Sequence, residues 1–430
     1  MDELAAELGM DPLELRQLNW ISHAEFPYTT IAGLTYDSGN YEAATARARE
    51  LFGYDNLRRE QADRRQRRDR IQLGIGVSTY TEMAGLAPSR WFGRHGYTAG
   101  GWETASVRLL PTGRAEAIIG TSPHGQGHVT TFSQIVADTL GVAFDDIDVL
   151  HGDTEVAAWG LDTYGSRSLV LGGTAVAQAA QKVVDKARLV AAHLLETSPE
   201  DLEFTGGRFR VRGDPEAVKT IREVAVAAFT AHDLPAGADP VLFAEATFDP
   251  EAFSYPHGTH LCGVDVDTLT GHVRVRSYVA VDDVGKAINP MIVEGQIHGG
   301  VTQGLAQALY EEAVYDGEGN LVTGSLVDYL VPSAADVPSY VTDRTETLAT
   351  TNPLGAKGAG EAGTIASTPA VVNAVVDALR PFGVTDVRMP CTPERVWRAI
   401  HGDAADVGGA AAGTTAQSGR QASAGPGGAP

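Results

Sequence analysis

Ser106-Val-Arg-Leu-Leu-Pro-Thr-Gly-Arg-Ala-Glu-Ala-Ile-Ile-Gly120 is followed four residues on by His124-Gly-Gln-Gly-His128. Apolar and polar side chains alternate on both sides of Pro111-Thr-Gly-Arg114, which predicts a β-hairpin. An apolar-periodic stretch then runs to Leu140 and predicts a helix entered through glycines. The second half of the chain repeats this order. Leu261–Asp267 and His272–Asp282 flank Thr268-Leu-Thr-Gly271, and Asn289-Pro290 opens a helix carrying Gly295-Gln-Ile-His-Gly-Gly300. Two hairpin–loop–helix units, each with a Gly-Gln pair near a helix entrance, predict an α+β fold of two related lobes facing a shared cleft.

Outward from these units the periods continue. Ile71–Thr81 and Ile147–His151 read as strands, and residues 166–195 as a long helix. Pro369 precedes a helix over 368–380, and Pro393–Ile400 forms another. Upstream, Asp11-Pro12 opens a helical turn, and residues 39–70 read as one long helix capped by Asn40. Seven basic residues with three acids lie between Arg58 and Arg70, a solvated face or a docking patch. The expected divisions are 1–70, a helical segment of a lobe completed upstream; 71–240, a first lobe; 241–402, a second; and 403–430, a disordered tail rich in Gly, Ala and Pro.

Composition narrows the function. A net charge of −22 argues against nucleic acid and anionic membrane surfaces as partners. No run of about 18 apolar residues offers a membrane span. Cys262 and Cys391 are too few for a disulfide framework or a thiolate metal site, and fit a reducing cytoplasm. The 49 glycines in 430 residues exceed the usual ~7% and suggest backbone held against a ligand.

Three segments can carry chemistry. Gly125-Gln126-Gly127 offers N–H groups and an amide at a helix entrance. His124 and His128 are four apart but have no third ligand nearby, so no metal site is expected of the protein itself. Thr163-Tyr-Gly-Ser-Arg-Ser168 collects hydroxyls, N–H groups and a guanidinium before a helix, beyond what capping needs. Asn352-Pro-Leu-Gly-Ala-Lys-Gly-Ala-Gly-Glu-Ala-Gly363 lacks the order of a phosphate loop and the context of a dinucleotide fold. It offers one isolated carboxylate, Glu361, either a solvent-facing loop acid or a general base.

Together these segments resemble the molybdenum hydroxylase family of xanthine dehydrogenase, aldehyde oxidase and the carbon monoxide dehydrogenase large chain. The resemblance runs from residue 1 to about 400. It rests on His124–His128, Gly152-Asp-Thr154, Thr163–Ser168, Asn289-Pro-Met-Ile-Val-Glu-Gly-Gln296 and Gly355-Ala-Lys-Gly-Ala-Gly-Glu361. It implies a molybdopterin cofactor carrying molybdenum, as the cytosine dinucleotide in most bacterial members, held in the cleft between the lobes. Gly125, Gln126 and Gly127 would lie near the metal, and Gly165, Ser166, Arg167 and Ser168 would hold pterin and pyrophosphate. Gln296 would contact the pterin, and Gly360 and Glu361 would sit beside molybdenum, Glu361 as general base. The resemblance also implies an iron–sulfur small subunit, an FAD-carrying medium subunit and an N-terminal part of the large subunit as partners. This chain corresponds to the C-terminal part of such a large subunit. Two readings follow: part of an oxidative hydroxylase, inactive without the N-terminal part, or a non-catalytic remnant that docks to family partners.

Overall fold

The computed structural model describes residues 1–157 and 159–402, so the tail expected over 403–430 lies outside the described residues. The chain opens with α1 (Asp2–Leu8), α2 (Pro12–Gln17), β1 (Tyr28–Thr29), β2 (Thr35–Tyr36), α3 (Tyr41–Phe52) and α4 (Tyr54–Arg67). It continues with β3 (Ile71–Thr81), α5 (Ser89–Arg94), β4 (Glu103–Leu109), β5 (Ala115–Ile119), α6 (His128–Leu140), β6 (Ile147–Leu150) and α7 (Thr174–Leu194). Then come β7 (Leu202–Thr205), β8 (Arg208–Val211), β9 (Asp214–Thr220), α8 (Ile221–Thr230), β10 (Leu242–Phe248), β11 (His257–Asp267) and β12 (Val273–Asp283). α9 (Pro290–Leu309), β13 (Tyr340–Thr345), α10 (Ala362–Leu379) and α11 (Pro393–His401) complete it.

Two four-stranded sheets carry the fold, in the orders β10-β4-β5-β6 and β3-β11-β12-β13. Their signs match. In each, the hairpin is antiparallel, the strand after the helix joins in parallel, and the outer strand is antiparallel. The repeated unit is therefore hairpin–helix–strand–helix: β4-β5-α6-β6-α7, then β11-β12-α9-β13-α10.

The outer strands are exchanged between the units. β3 precedes the first unit yet pairs with β11 from the second, Ile71 opposite Asp267 and Thr81 opposite His257. β10 precedes the second unit yet pairs with β4 of the first, Leu242 opposite Leu109 and Phe248 opposite Glu103. This corrects the divisions 71–240 and 241–402, because each cut leaves one strand with the wrong lobe. Alternation identifies a strand but not its partner, and here the partner lies in the other half of the chain.

The first 70 residues also find their partner within the chain. α3 and α4 cover one face of the second sheet, where Ala44, Ala48, Phe52 and Tyr54 pack on Leu73, Ile75, Val77, Leu261, Val279 and Val281. The single helix expected over 39–70 is two, because Gly53 takes φ 66° and turns the chain between α3 and α4. Asn40 does cap α3, accepting from the Ala43 amide at 3.1 Å. Part of the basic run folds inward, where Arg58 and Arg65 pair with Asp377 and Arg64 with Asp265, while Arg59, Arg67, Arg68 and Arg70 stay exposed.

α9 and α10 cover the other face of the second sheet. Buried on both faces, β11 shows an almost continuous run of buried residues, as a central strand should. β3 alternates large and absent side chains, Leu73-Gly-Ile-Gly-Val77. The glycines face α10, and a Cβ at Gly76 would stand 1.9 Å from the Ala370 carbonyl oxygen. The helix therefore lies directly on the strand backbone. α10 and the turn after it, Ala362–Phe382, are long and apolar enough to cross a membrane by length and composition. The segment is the central helix of this core, 67% buried. It begins six residues before the expected 368 and carries Pro369 inside, so Glu361 is its N-cap residue and not a mid-loop acid. The first sheet buries one face against α6, α7 and α8.

Candidate functional site

The equivalent ends of the two units face each other across a cleft of about 580 Å³. Four helix entrances border it. Gly127 caps α6 with φ 82°, a widened turn over Ser168–Gly173 leads into α7, Asn289 caps α9 and Glu361 caps α10. Helix entrances present unpaired N–H groups and positive dipole ends, so their convergence favours a polar or anionic ligand. Asn289 ties the units together, accepting from the Ile292 amide at 3.1 Å and donating to Gln134 of α6 at 2.9 Å.

Gly125, Gln126, Gly165, Ser166, Arg167, Ser168, Gln296, Gly360 and Glu361 all line this cleft. Gly127 stands just behind, where a Cβ would come within 2.7 Å of the Ile292 side chain, itself a lining residue. The Gln126 side-chain oxygen Oε1 accepts from the His124 backbone amide, which sets the loop and leaves Gln126 Nε2 uncommitted among the described residues. Gln296 is half-buried on the first turns of α9.

The Thr163–Ser168 segment uses its groups differently from the expectation. The Arg167 guanidinium is 0% exposed and points away from the cleft. It pairs with Glu103 at 2.8 Å and donates to the carbonyls of Asp162, Gly101, Trp102 and Leu86 at 2.6–3.3 Å. Its five N–H groups are thereby spent, so the side chain is a brace and cannot also clamp a phosphate. Ser168 donates to Thr163 at 2.8 Å, and Thr163 to the Ser122 carbonyl at 2.7 Å. The amides from Gly165 to Ser168 donate no backbone hydrogen bond among the described residues. They are the donors this segment keeps for a ligand.

Ser166 takes φ 52°, a left-handed conformation uncommon for a residue with a side chain. That conformation aims its hydroxyl at Glu361. Ser166 Oγ donates to Glu361 Oε2 at 3.0 Å and accepts from the Glu361 amide at 3.1 Å. Gly358 makes the approach possible, since a Cβ there would lie 2.5 Å from the Ser166 Cβ. The loop leading to Glu361 is pinned from below. Lys357 donates through its amide to Val284 at 2.7 Å and through Nζ to Thr347 at 2.9 Å, and it pairs with Asp283 at 3.6 Å. It is 1% exposed, and burial lowers the pKa of its ammonium.

One group escapes the sequence reading, and a second, His128, figures in it only as a candidate metal ligand. Glu82, just beyond β3, is buried behind Ser166 and Glu361, and burial raises its carboxyl to about 7. No motif marks it, because its neighbours arrive from distant parts of the chain. His128 is buried with Nδ1 unpartnered at the cleft, and burial with two neighbouring imidazoles lowers it to about 4. Among the described residues no group of three or more His, Cys, Asp or Glu is placed to hold a metal ion. The arrangement suits a large polar ligand that brings its own metal ligands.

Fold and site thus define a two-unit α+β protein built around a cofactor cradle. The family model of the molybdopterin cofactor-binding domain matches residues 47–338, and the chain belongs to that family. It is 44% identical to the carbon monoxide dehydrogenase large chain of Hydrogenophaga pseudoflava over 93% of this chain and 49% of that protein. It is 37% identical to the nicotine 6-hydroxylase large subunit of Paenarthrobacter nicotinovorans, over 94% and 49%. Among solved structures, a Cu,Mo-CO dehydrogenase superposes with TM-score 0.87 at 41% identity, covering 92% of this chain and 50% of that one. Quinoline 2-oxidoreductase from Pseudomonas putida 86 does so with TM-score 0.87 at 38% identity, over 93% and 51%. The chain spans about half the length of the curated relatives it matches.

Proposed function

We propose that this chain is the cofactor-holding half of a molybdenum hydroxylase large subunit. The reaction is oxidative hydroxylation of a C–H substrate (aldehyde, N-heterocycle or CO-like) with water as oxygen source. Electrons then leave to iron–sulfur and FAD partner chains. The observation that carries this reading is the convergence of four helix entrances, with free amides, on a cleft that also holds the Glu361 carboxylate.

The donor set fits molybdopterin, taken in the cytosine dinucleotide form that the family resemblance implies. The amides of Gly165–Ser168 and the entrance of α6 suit pyrophosphate and pterin. Gln126 and Gln296, which donate and accept at once, suit the pterin edge. When bound, the group supplies two-electron redox chemistry and a site for oxygen transfer. The chain's part is to bind and orient it, and to take a proton at the Glu361 carboxylate, which Ser166 holds toward the cleft.

The test is to co-express the full chain with its genomic neighbours, including any chain encoding the N-terminal part. Molybdenum and pterin are then measured per chain, together with substrate-dependent dye reduction. Near-stoichiometric molybdenum with turnover is expected. A folded complex devoid of both molybdenum and pterin would overturn the reading and leave a non-catalytic docking module.

A further inference from the structure

The two units differ in the link between helix and third strand. In the first, six residues (141–146) join α6 to β6; in the second, thirty (310–339) join α9 to β13. Of those thirty, Tyr310 and Val337 rest on the core of the second sheet. The span between them is an arm that the repeat itself does not need. Its backbone is nevertheless set, turn by turn, by its own carboxylates. Asp316 accepts from the amides of Glu318 and Asn320 and from the Asn320 side chain, each at 2.9 Å, and Tyr315 bridges to Leu321. Asp328 accepts from the Ser325 hydroxyl at 2.7 Å, and Asp336 from the Ser333 hydroxyl and amide at 2.7 and 2.8 Å. At the root of the arm, Glu312 pairs with Arg395 of α11 at 2.9 Å. The apolar side chains find no such partners. Tyr315, Val322, Leu330 and Val331 are each more than half exposed, and Leu326 and Val327 are 85% and 88% exposed. Apolar residues gathered on one short, ordered segment, and not scattered singly, mark an interaction surface.

We propose that this arm, over residues 314–331, is the docking surface for the half of the large subunit that this chain does not span. The proposal rests on the reading of the chain as one half of such a subunit. Three observations select that occupant. The family model runs to residue 338 and so includes the arm, and the curated relatives are about twice as long as the region they share with this chain. The arm therefore belongs to a fold that those relatives carry together with another half. The second observation is the apolar character of the arm. Permanent interfaces are more hydrophobic than transient ones, and contacts made for electron transfer are small. Two halves of one subunit stay together; an electron carrier need not. The third is charge. Residues 311–339 hold six acids and no Lys, Arg or His. A second copy would bring the same acids on a chain of net charge −22, and like charges brought face to face oppose association. The matching surface is apolar at its centre and basic at its rim.

The experiment co-expresses the full chain, tagged, with a chain carrying the other half of the subunit and with the iron–sulfur chain, and measures how much of each is recovered per tagged chain. Wild type should hold about one companion half, and hydrogen exchange of the amides over 321–331 should slow in the complex relative to the free chain. The double variant Leu326→Asp, Val327→Asp should recover at least about tenfold less companion half. Both side chains stand in solvent, so the free variant should keep the circular dichroism and melting temperature of wild type, which separates lost docking from lost folding. Equal recovery by variant and wild type overturns the proposal, and so does a wild type that holds no companion half. A variant that keeps the companion half but loses the iron–sulfur chain, or whose single change is lost self-association, overturns it as well. Molybdenum and turnover are measured on the same samples. A complex held by the arm but lacking both defeats the hydroxylase reading alone, and a loaded, active complex indifferent to the arm defeats the docking proposal alone.

Discussion

Glu361→Gln preserves shape and hydrogen bonding while removing the proton acceptor. Molybdenum per chain should stay at the wild-type level while turnover falls about 10²–10⁴-fold. Dye reduction and metal content measured on one sample check this, and turnover within about tenfold at equal molybdenum would remove Glu361 from the chemistry. Glu82 makes a separate prediction about stability. Its ordinary value is 4.5 and its folded value about 7, so between these the folded chain holds a proton that the unfolded chain has lost. Stability therefore falls as pH rises from about 4.5 to about 7. Glu82→Gln should abolish that loss and be more stable than wild type by up to roughly 3 kcal/mol at pH 8, but not at pH 4. Urea midpoints at the two pH values decide it. Arg167→Met strands the Glu103 carboxylate, which is 0% exposed. The expected cost is about 3–5 kcal/mol, and Arg167→Lys should rescue little because an ammonium cannot serve all five acceptors. Thermal unfolding of both variants measures it.

Between elements, the tightest fit is α10 on β3. Gly76→Ala places a methyl against a helix carbonyl, where only backbone movement could relieve it. About 1–3 kcal/mol or more should be lost, seen as a lower urea midpoint at constant m-value. Gly299→Ala in α9 is the control. A Cβ there meets nothing within 4 Å, so the change should be neutral or stabilising by up to about 1 kcal/mol. Equal losses at both positions would mean that α10 does not rest on the β3 backbone. The same fit bears on the site, since the start of α10 places Glu361.

Across the molecule, the exchanged strands interlock the two units. A fragment of residues 71–240 keeps β3, which belongs to the other sheet, and lacks β10, which closes its own. A fragment of residues 83–254 contains β10-β4-β5-β6 with α6, α7 and α8. The second should unfold cooperatively and show fixed aromatic circular dichroism, and the first should not. Cooperative folding of 71–240 would show that the exchange is dispensable. The cleft lies between the interlocked units, so its two walls are held together by covalent crossovers as well as by packing.

Local pattern sufficed for much of this. The alternation of Ile71–Thr81 and the hairpin turn at Pro111–Arg114 located strands almost to the residue: β4 and β5 alternate because one face is half-buried, and β3, buried on both faces, alternates large side chains with glycines that admit α10. Asp11 and Asn40 marked helix starts by their capping chemistry, and the duplicated hairpin–loop–helix order revealed the pair of units. The cleft-lining residues were legible because each sits in a glycine-rich helix entrance, a local feature. Tertiary structure alone decided the rest. The partners of β3 and β10 lie in the opposite half of the chain, and no local period encodes a partner. The inward turn of Arg167 depends on carbonyls and a carboxylate 64 or more residues away, as well as on its own loop. Glu82 meets Ser166 and Glu361 only because three distant segments converge, and its raised pKa comes from burial, which exists only once the chain has folded.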